Sequence, residues 1–261
     1  MKSNQTRQTV DILLPIGFNS PYLEKCINSL KNEDFQDWRI IAILDVGDVL
    51  NLNLLQNMVP ATSLKVIEIP SPHTLSQKLN AGIAVSSAKY LARMDADDII
   101  IKDRLMRQVE YLDDPNHEHI VGVGACAIII NENDEAIGEI HQPNIPKKIL
   151  SKMIWRNAFI HPSMMFRREV FEENYFDPRL TRTQDYELWL RILTRYEMSN
   201  IPDALLGYRL HGENSSKKRI NLLDAYIIYK SKKSYAMVRQ FPKWKIELSS
   251  FIWTFVNLFL R

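Results

Sequence analysis

The sequence predicts an α/β fold, a mainly parallel central sheet flanked by helices, ending in a helical C-terminal extension. Three observations predict it. Over the first hundred residues, short apolar runs alternate with helix-period patterns at the spacing of βαβ units. Beyond about residue 209 the strand pattern stops and Lys-rich helical sequence takes over. The 261 residues, 46% hydrophobic and 25% charged, can build a sizeable core, which excludes intrinsic disorder, collagen-like repeats and a disulfide-stapled miniprotein.

The elements follow in order. Val10–Leu14 is an apolar run stopped at Pro15, and Leu23, Cys26, Ile27 and Leu30 recur at helical spacing within Tyr22–Leu30. Arg39–Leu44 predicts a second strand, Val49–Met58 a helix, and Leu64–Ile69 a third strand closed by Pro70 and Pro72. Leu75–Val85 reads as a helix and Lys89–Met94 as a fourth strand. The second half is less regular. Ile101–Leu112 looks helical and Ile120–Ile130, rich in small and β-branched residues, predicts a buried strand. A helix near Pro146–Trp155, a short strand at Met164–Phe166 and a buried aromatic helix at Tyr186–Leu193 follow. One domain over residues 1–209 and a basic, amphipathic extension over 210–261 are expected.

The formal net charge of +2 hides an asymmetry. Residues 217–261 carry ten Lys or Arg against two acids, a net +8, and the remainder carries −6. A basic tail on an acidic body suggests an anionic partner; the plain alternative is a solvated helical face. Cys26 and Cys126 lack CxxC spacing and read as thiols of a reducing compartment. Met1–Thr9 has no apolar core of a secretory signal, and no run reaches the roughly 18 apolar residues of a membrane span. A cytoplasmic location is expected.

In parallel sheets ligands bind beyond the carboxyl ends of the strands, so the polar residues there matter most. After the fourth strand comes Arg93-Met94-Asp95-Ala96-Asp97-Asp98. Three carboxylates in four residues repel one another, and hard divalent cations are the usual reason to tolerate that. In an extended segment Asp95 and Asp97 would point the same way. The plain alternative is an Asp cap on the next helix. Asp45 follows the second strand, placed to accept hydrogen bonds from a nucleobase or ribose, or simply to form a turn before Gly47. Asp185 opens the aromatic helix, either as a helix-dipole acid or as a general base. His161 and His211 stand singly.

Taken together, these motifs resemble the family 2 glycosyltransferases, inverting enzymes with the GT-A fold and its Rossmann-like sheet, especially those of bacterial surface polysaccharides. The resemblance runs from Val10 to about Ser216. It is most specific in Leu75–Arg104, with Leu-Ser-Gln-Lys-Leu-Asn-Ala-Gly-Ile and Ala-Arg-Met-Asp-Ala-Asp-Asp. Pro15 with Asn19, His161-Pro162-Ser163, Asp185–Arg191 and Tyr208-Arg209 support it. It implies a nucleoside-diphosphate sugar donor, a UDP-sugar foremost, handled by Pro15, Asn19, Asp45, Lys78, Arg93 and Asp95. It implies Mn²⁺ or Mg²⁺ on Asp95 and Asp97, with His211 where some relatives place a further ligand. Asp185 matches the acid that deprotonates the acceptor hydroxyl, so the implied activity is hexosyl or related transfer to a sugar or lipid-linked oligosaccharide.

There are departures. Val46 and Asp48 replace the second acid and the Ser of the nucleotide turn, and Gly17-Phe18 stands where a small apolar residue and Tyr are usual. Gln184 replaces the Glu before the base, and Ser71-Pro72-His73 replaces an Asn-x-Gly.

Two rivals need different observations. A D-x-D phosphatase needs an uninterrupted apolar strand up to its first Asp, and Arg93 interrupts it here. A non-catalytic nucleotide-sugar-binding assembly subunit would fit the altered nucleotide turn but not the retained Asp95, Asp97 and Asp185. No nucleic-acid partner is expected. In the tail, Lys243, Glu247, Ser250, Thr254, Asn257 and Arg261 form one narrow polar stripe on an otherwise apolar helix. That pattern predicts burial in an anionic membrane surface, assisted by Lys230, Lys232, Lys233 and Arg239, with a homodimer or packing on its own domain as the alternatives.

Overall fold

The computed structural model of the chain describes residues 8–260 except Asn19, Lys102 and 213–218. The predicted Asn19 contact, and the end of the polar stripe at Arg261, lie outside the described residues. The N-terminal half contains β1 (Val10–Pro15), α1 (Leu23–Lys31), β2 (Trp38–Asp45), α2 (Val49–Met58), β3 (Leu64–Ile69), α3 (Leu75–Val85) and β4 (Tyr90–Arg93). Then come β5 (Ile99–Ile100), α4 (Arg104–Asp113), β6 (Ile120–Ile130), β7 (Ala136–Ile140), α5 (Pro146–Met153) and β8 (Met165–Arg167). The chain closes with α6 (Gln184–Arg195), β9 (Glu197–Arg209), α7 (Leu222–Val238) and α8 (Lys243–Phe255).

The strands form one sheet in the order β3-β2-β1-β4-β8-β6-β9-β5, with β7 on β6. The first four pair in parallel, as does β6 with β9; β8, β5 and β7 pair antiparallel. β1 and β2 are buried on both faces, which is why they read as continuous apolar runs. Ile12, Leu14, Ile40 and Ala42 enter one core with α1, while Leu13, Ile41 and Ile43 enter the other with α3 and α6. Gly82 lets α3 lie close on the sheet: a Cβ there would sit 2.9 Å from Leu13 and 3.1 Å from Ile43.

The structure differs from the sequence reading at four places. Ile99–Ile100 pairs with Gly207 and Leu206, so the helix expected from Ile101 begins only at Arg104, after Asp103 in a left-handed conformation. β7 is exposed along most of its length, so no apolar alternation announces it. β9 was not legible because Pro202 and Asp203 bulge from the ladder: Ala125 pairs with Ile201 and Cys126 already with Ala204.

The fourth place is the tail. Packing on its own domain, one of the alternatives, is what the structure shows, and the facing of its polar residues is what differs. α7 and α8 pack on the domain, with Ile220, Ile228, Tyr235, Ile246 and Trp253 inside the α6 core. Asn221 and Asp224 form a capping box at the start of α7, and Asp224 also accepts from the backbone N–H and hydroxyl of Thr181, at 3.2 and 2.8 Å. On α8 the expected polar stripe is not the outer face, for Ser250 and Asn257 are buried while Phe251 and Phe255 are exposed. Nor do all four basic residues face outward. Arg239 donates to the carbonyls of Leu193 and Tyr196, and Lys232 is fully buried.

Lys232 has no hydrogen-bond partner among the described residues and lies 5.9 Å from the Trp253 ring. Burial pushes its ammonium from 10.5 down to about 7. Between those values the unfolded chain holds more protons than the folded one, so this group makes stability rise with pH. Lys232→Met, of similar shape and without the amine, is expected to stabilise the fold by about 2–4 kcal/mol near pH 6, a gain that shrinks toward about pH 10. Urea melts at both pH values check this; equal stability near pH 6 would contradict it.

Candidate active site

The carboxyl ends of β1, β2 and β4 lie side by side, as the parallel order requires. Pro15 ends β1 as a buried residue, and Asp45 ends β2. Asp45 contacts His73 and lies 3.2 Å from Lys78 Nζ, which also donates to the Ile16 carbonyl at 2.6 Å. Hydrogen bonds from His73 and the Lys78 ammonium outweigh partial burial and hold the Asp45 carboxyl below its usual range. Lys78 reaches this point because it is one turn into α3, whose start is fixed by a Thr74–Gln77 capping box. Asp48 caps α2 instead of facing a ligand, accepting from the Asn51 backbone at 3.3 Å and its side chain at 2.7 Å, and Val46 is exposed.

Residues 95–98 are not extended. The Asp98 N–H donates to the Asp95 carbonyl at 3.3 Å, closing a turn. The expectation that Asp95 and Asp97 share a direction along a strand therefore fails, but the turn does more. It brings one carboxylate oxygen each of Asp95, Asp97 and Asp98 within 4.8 Å of one another. Arg93, buried at the end of β4, donates to Asp95 at 2.5 Å. Asp97 contacts His211 at 2.8 Å, and Asp98 accepts from the Arg209 N–H at 2.8 Å. Arg209 also donates to the Asp97 carbonyl at 2.7 Å, so the end of β9 is tied to the turn. Its guanidinium stands 4.5 Å over the Tyr22 ring.

Burial and the neighbouring acids push the Asp98 carboxyl well up, and burial raises Asp95 despite Arg93. Asp98 Oδ2 is buried with no hydrogen-bond partner among the described residues. Beneath the turn, the Cys26 thiol donates to the Asp95 carbonyl at 3.6 Å, and burial within this negative field pushes its pKa far up. A set of hard oxygens this close, on a turn where Asp98 also keeps an unpartnered buried oxygen, suits a divalent cation.

The same residues line a cavity of about 490 Å³ that also holds Asp185 and His161. Asp185 sits in the first turn of α6, after Thr183 in a left-handed conformation, and accepts from Asn157 Nδ2 at 2.8 Å. Desolvation raises its pKa; the backbone N–H groups of Tyr186 and of Asp185 itself oppose that. His161 packs between Phe176 and Trp189, and burial keeps its imidazole neutral. Trp253 and Asn257 of the extension also line the cavity. Trp253 stands 5.8 Å from the Tyr186 ring, whose hydroxyl donates to the Met153 carbonyl at 2.6 Å.

The structure thus gathers Arg93, Asp95, Asp97, Asp185 and His211 at one cavity, while Pro15, Asp45 and Lys78 form a neighbouring group. β2 and β4 flank β1, so Asp45 and Asp95 stand about two strand spacings apart, ~10 Å. His73, Asn157, Trp253 and Asn257 were not singled out as site residues from sequence. His73 stood in a visible departure, Ser71-Pro72-His73, but nothing local tied Asn157 to a base.

Comparisons place this geometry among known proteins. The chain is 29% identical over 221 residues to the Escherichia coli O-antigen biosynthesis glycosyltransferase WbnJ, covering 81% of this chain and 83% of the relative. It is 28% identical over 204 residues to the Erwinia amylovora amylovoran biosynthesis glycosyltransferase AmsE, covering 76% and 74%. Among solved structures, S. aureus TarS 1-349 in complex with UDP-GlcNAc aligns with a TM-score of 0.69 at 15% identity, over 94% of this chain and 71% of that one. A Pyrobaculum calidifontis mannosyltransferase in complex with GDP-Man and Mn²⁺ aligns with a TM-score of 0.61 at 13% identity, over 97% and 85%. These likenesses show the GT-A fold. The sequence model described as Glycosyl transferase family 2 matches residues 11–175, from β1 through the acidic turn to the loop before α6, and it is to that family that the chain belongs.

Proposed function

We propose that the chain transfers a sugar from a nucleoside-diphosphate sugar, a UDP-sugar foremost, to an acceptor hydroxyl in one displacement that inverts the anomeric carbon. One observation carries the reading: an acidic turn and a half-buried, asparagine-oriented Asp185 share one cavity. Asp95 and Asp97 would hold Mn²⁺ or Mg²⁺, with His211 beside Asp97. Such a cation, when bound, supplies positive charge to the diphosphate leaving group. Asp45 and Lys78, roughly 10 Å away across β1, would receive the nucleoside. Asn157 orients Asp185 to take the acceptor proton, and a raised pKa makes that carboxylate a better proton acceptor.

The acceptor would be a sugar or a lipid-linked oligosaccharide in bacterial surface-polysaccharide synthesis, met at the cytoplasmic face of a membrane. The kinship to WbnJ and AmsE supports this. Among the described residues no helix is long and apolar enough to cross a membrane. The test is a panel of nucleotide sugars with Mn²⁺, reading donor hydrolysis and transfer. Hydrolysis of one donor in preference to the rest supports the reading. Binding without any turnover would favour a nucleotide-sugar-binding subunit.

A further inference from the structure

The outer side of α8 is a ridge of large apolar residues. Trp244, Leu248, Phe251, Ile252, Phe255 and Phe259 recur at steps of three or four or side by side, and all are exposed, Phe251 by 70% and Trp244 by 64%. Phe251 stacks on Phe255 at 6.3 Å between ring centroids, and Phe255 meets Phe259, in the π-helical turn that continues α8, at 5.4 Å with the rings tilted. The inner side, Ile246, Ser249, Ser250, Trp253 and Asn257, is buried on the domain. A helix already packed on one face has no structural need for aromatic rings on the other, and contiguous exposed apolar surface marks an interaction site.

The surroundings of the ridge select its occupant. Lys243 at the start of α8 is exposed, as is Lys233 of α7, one turn on from Tyr229, which contacts α8. Lys230 instead lines a cleft with Glu173 and Asp177. Glu247, the one acid on α8, is engaged by the Tyr229 hydroxyl at 3.2 Å. The segment 217–261 is +8 overall. A second copy of the chain would set this positive surface against itself, whereas anionic headgroups would neutralise it while the acyl layer takes the rings. Trp and Lys at one end of an apolar helix are also the residues that settle at a headgroup boundary.

We infer that the outer ridge of α8 is a docking surface for an anionic phospholipid bilayer, lying flat in the headgroup region. The opposite face of the same helix sends Trp253 and Asn257 into the cavity. Docking therefore holds one cavity wall within about a helix diameter, ~10–12 Å, of the lipid. Resting on the transfer reaction proposed above, this brings a lipid-borne acceptor to Asp185 without the chain entering the bilayer.

Flotation of the full chain tests it, using phosphatidylcholine vesicles with and without phosphatidylglycerol at low salt. The wild type should float with the anionic vesicles and much less with the neutral ones. Phe251→Ser with Phe255→Ser, both exposed, should lower the partition coefficient at least about tenfold with an unchanged melting curve. Lys233→Glu with Lys243→Glu should lower it about fivefold or more per residue on anionic vesicles only. Failure of the wild type to float, or equal flotation of the Phe variant, would overturn the inference. So would a wild-type dimer in sedimentation that the Phe variant splits, because the ridge would then be a subunit seam. Donor hydrolysis measured in parallel keeps the two readings separate: its absence removes the proposed reaction but leaves the docking result standing.

Discussion

Asp185→Asn is expected to lower kcat by about 10²–10⁴ while leaving donor affinity nearly unchanged. The amide keeps the shape and still meets Asn157, which lies 2.8 Å away in the wild type, but it cannot take a proton. Desolvation raises the pKa of Asp185, so wild-type kcat should fall as acid protonates it, at a pH above the ordinary carboxylate range. That acid limb should disappear from what activity remains in the variant. Glu187 cannot substitute. It is buried and held by Arg191 at 2.8 and 3.0 Å and by Ser231 at 2.8 Å, on the α7 side of the helix. Wild-type kcat in Asp185→Asn would assign the base elsewhere.

Asp97→Ala should remove turnover to below about one-hundredth of wild type, since a cation bound at a developing diphosphate contributes several kcal/mol. The fold should survive. Asp97 is one of the charges that raise Asp98 and Asp95, and deleting it relieves that repulsion. What it loses is the His211 contact and nothing in the core. Melting separates binding from catalysis: Mn²⁺ should raise the melting temperature of the wild type by mass action and leave that of the variant unmoved. Full activity in excess EDTA, or equal Mn²⁺ shifts in both proteins, would contradict the assignment.

The parts of the fold legible in sequence are those whose apolar residues run continuously or recur at helical period and stop at polar or proline punctuation. α2, β3, α3 and β6 begin and end where their apolar patterns do. The acidic residues after β4 were legible as a group, because a string of repelling carboxylates has few structural uses. Their geometry was not: a four-residue turn, not alternation, brings the oxygens together. The partners of the site lay beyond local pattern. Asn157 reaches Asp185 across 28 positions, and Asp98 meets Arg209 across 111. The facing of α8 was misread for a chemical reason. Asn257 donates to the Trp253 carbonyl at 2.7 Å, so an amide satisfied within the local helical turn can face inward. Ser250, small enough to be buried at little cost, turns inward with its hydroxyl unpartnered among the described residues. Lys232 does so too.

Cys26 carries a consequence of its own. Its thiol lies wholly buried in α1 and donates to the backbone of the acidic turn, in a field that disfavours the thiolate. A thiolate is the species that alkylating reagents attack, so in the closed protein this sulfur is chemically silent. Modification must wait for α1 and the turn to part, and its rate then measures how often that breathing occurs. Because the reporter sits under the acids and not among them, it can register the clamping of the turn by any ligand without competing for it. The protein thus contains its own clock for local opening, read by a stopwatch and a thiol reagent.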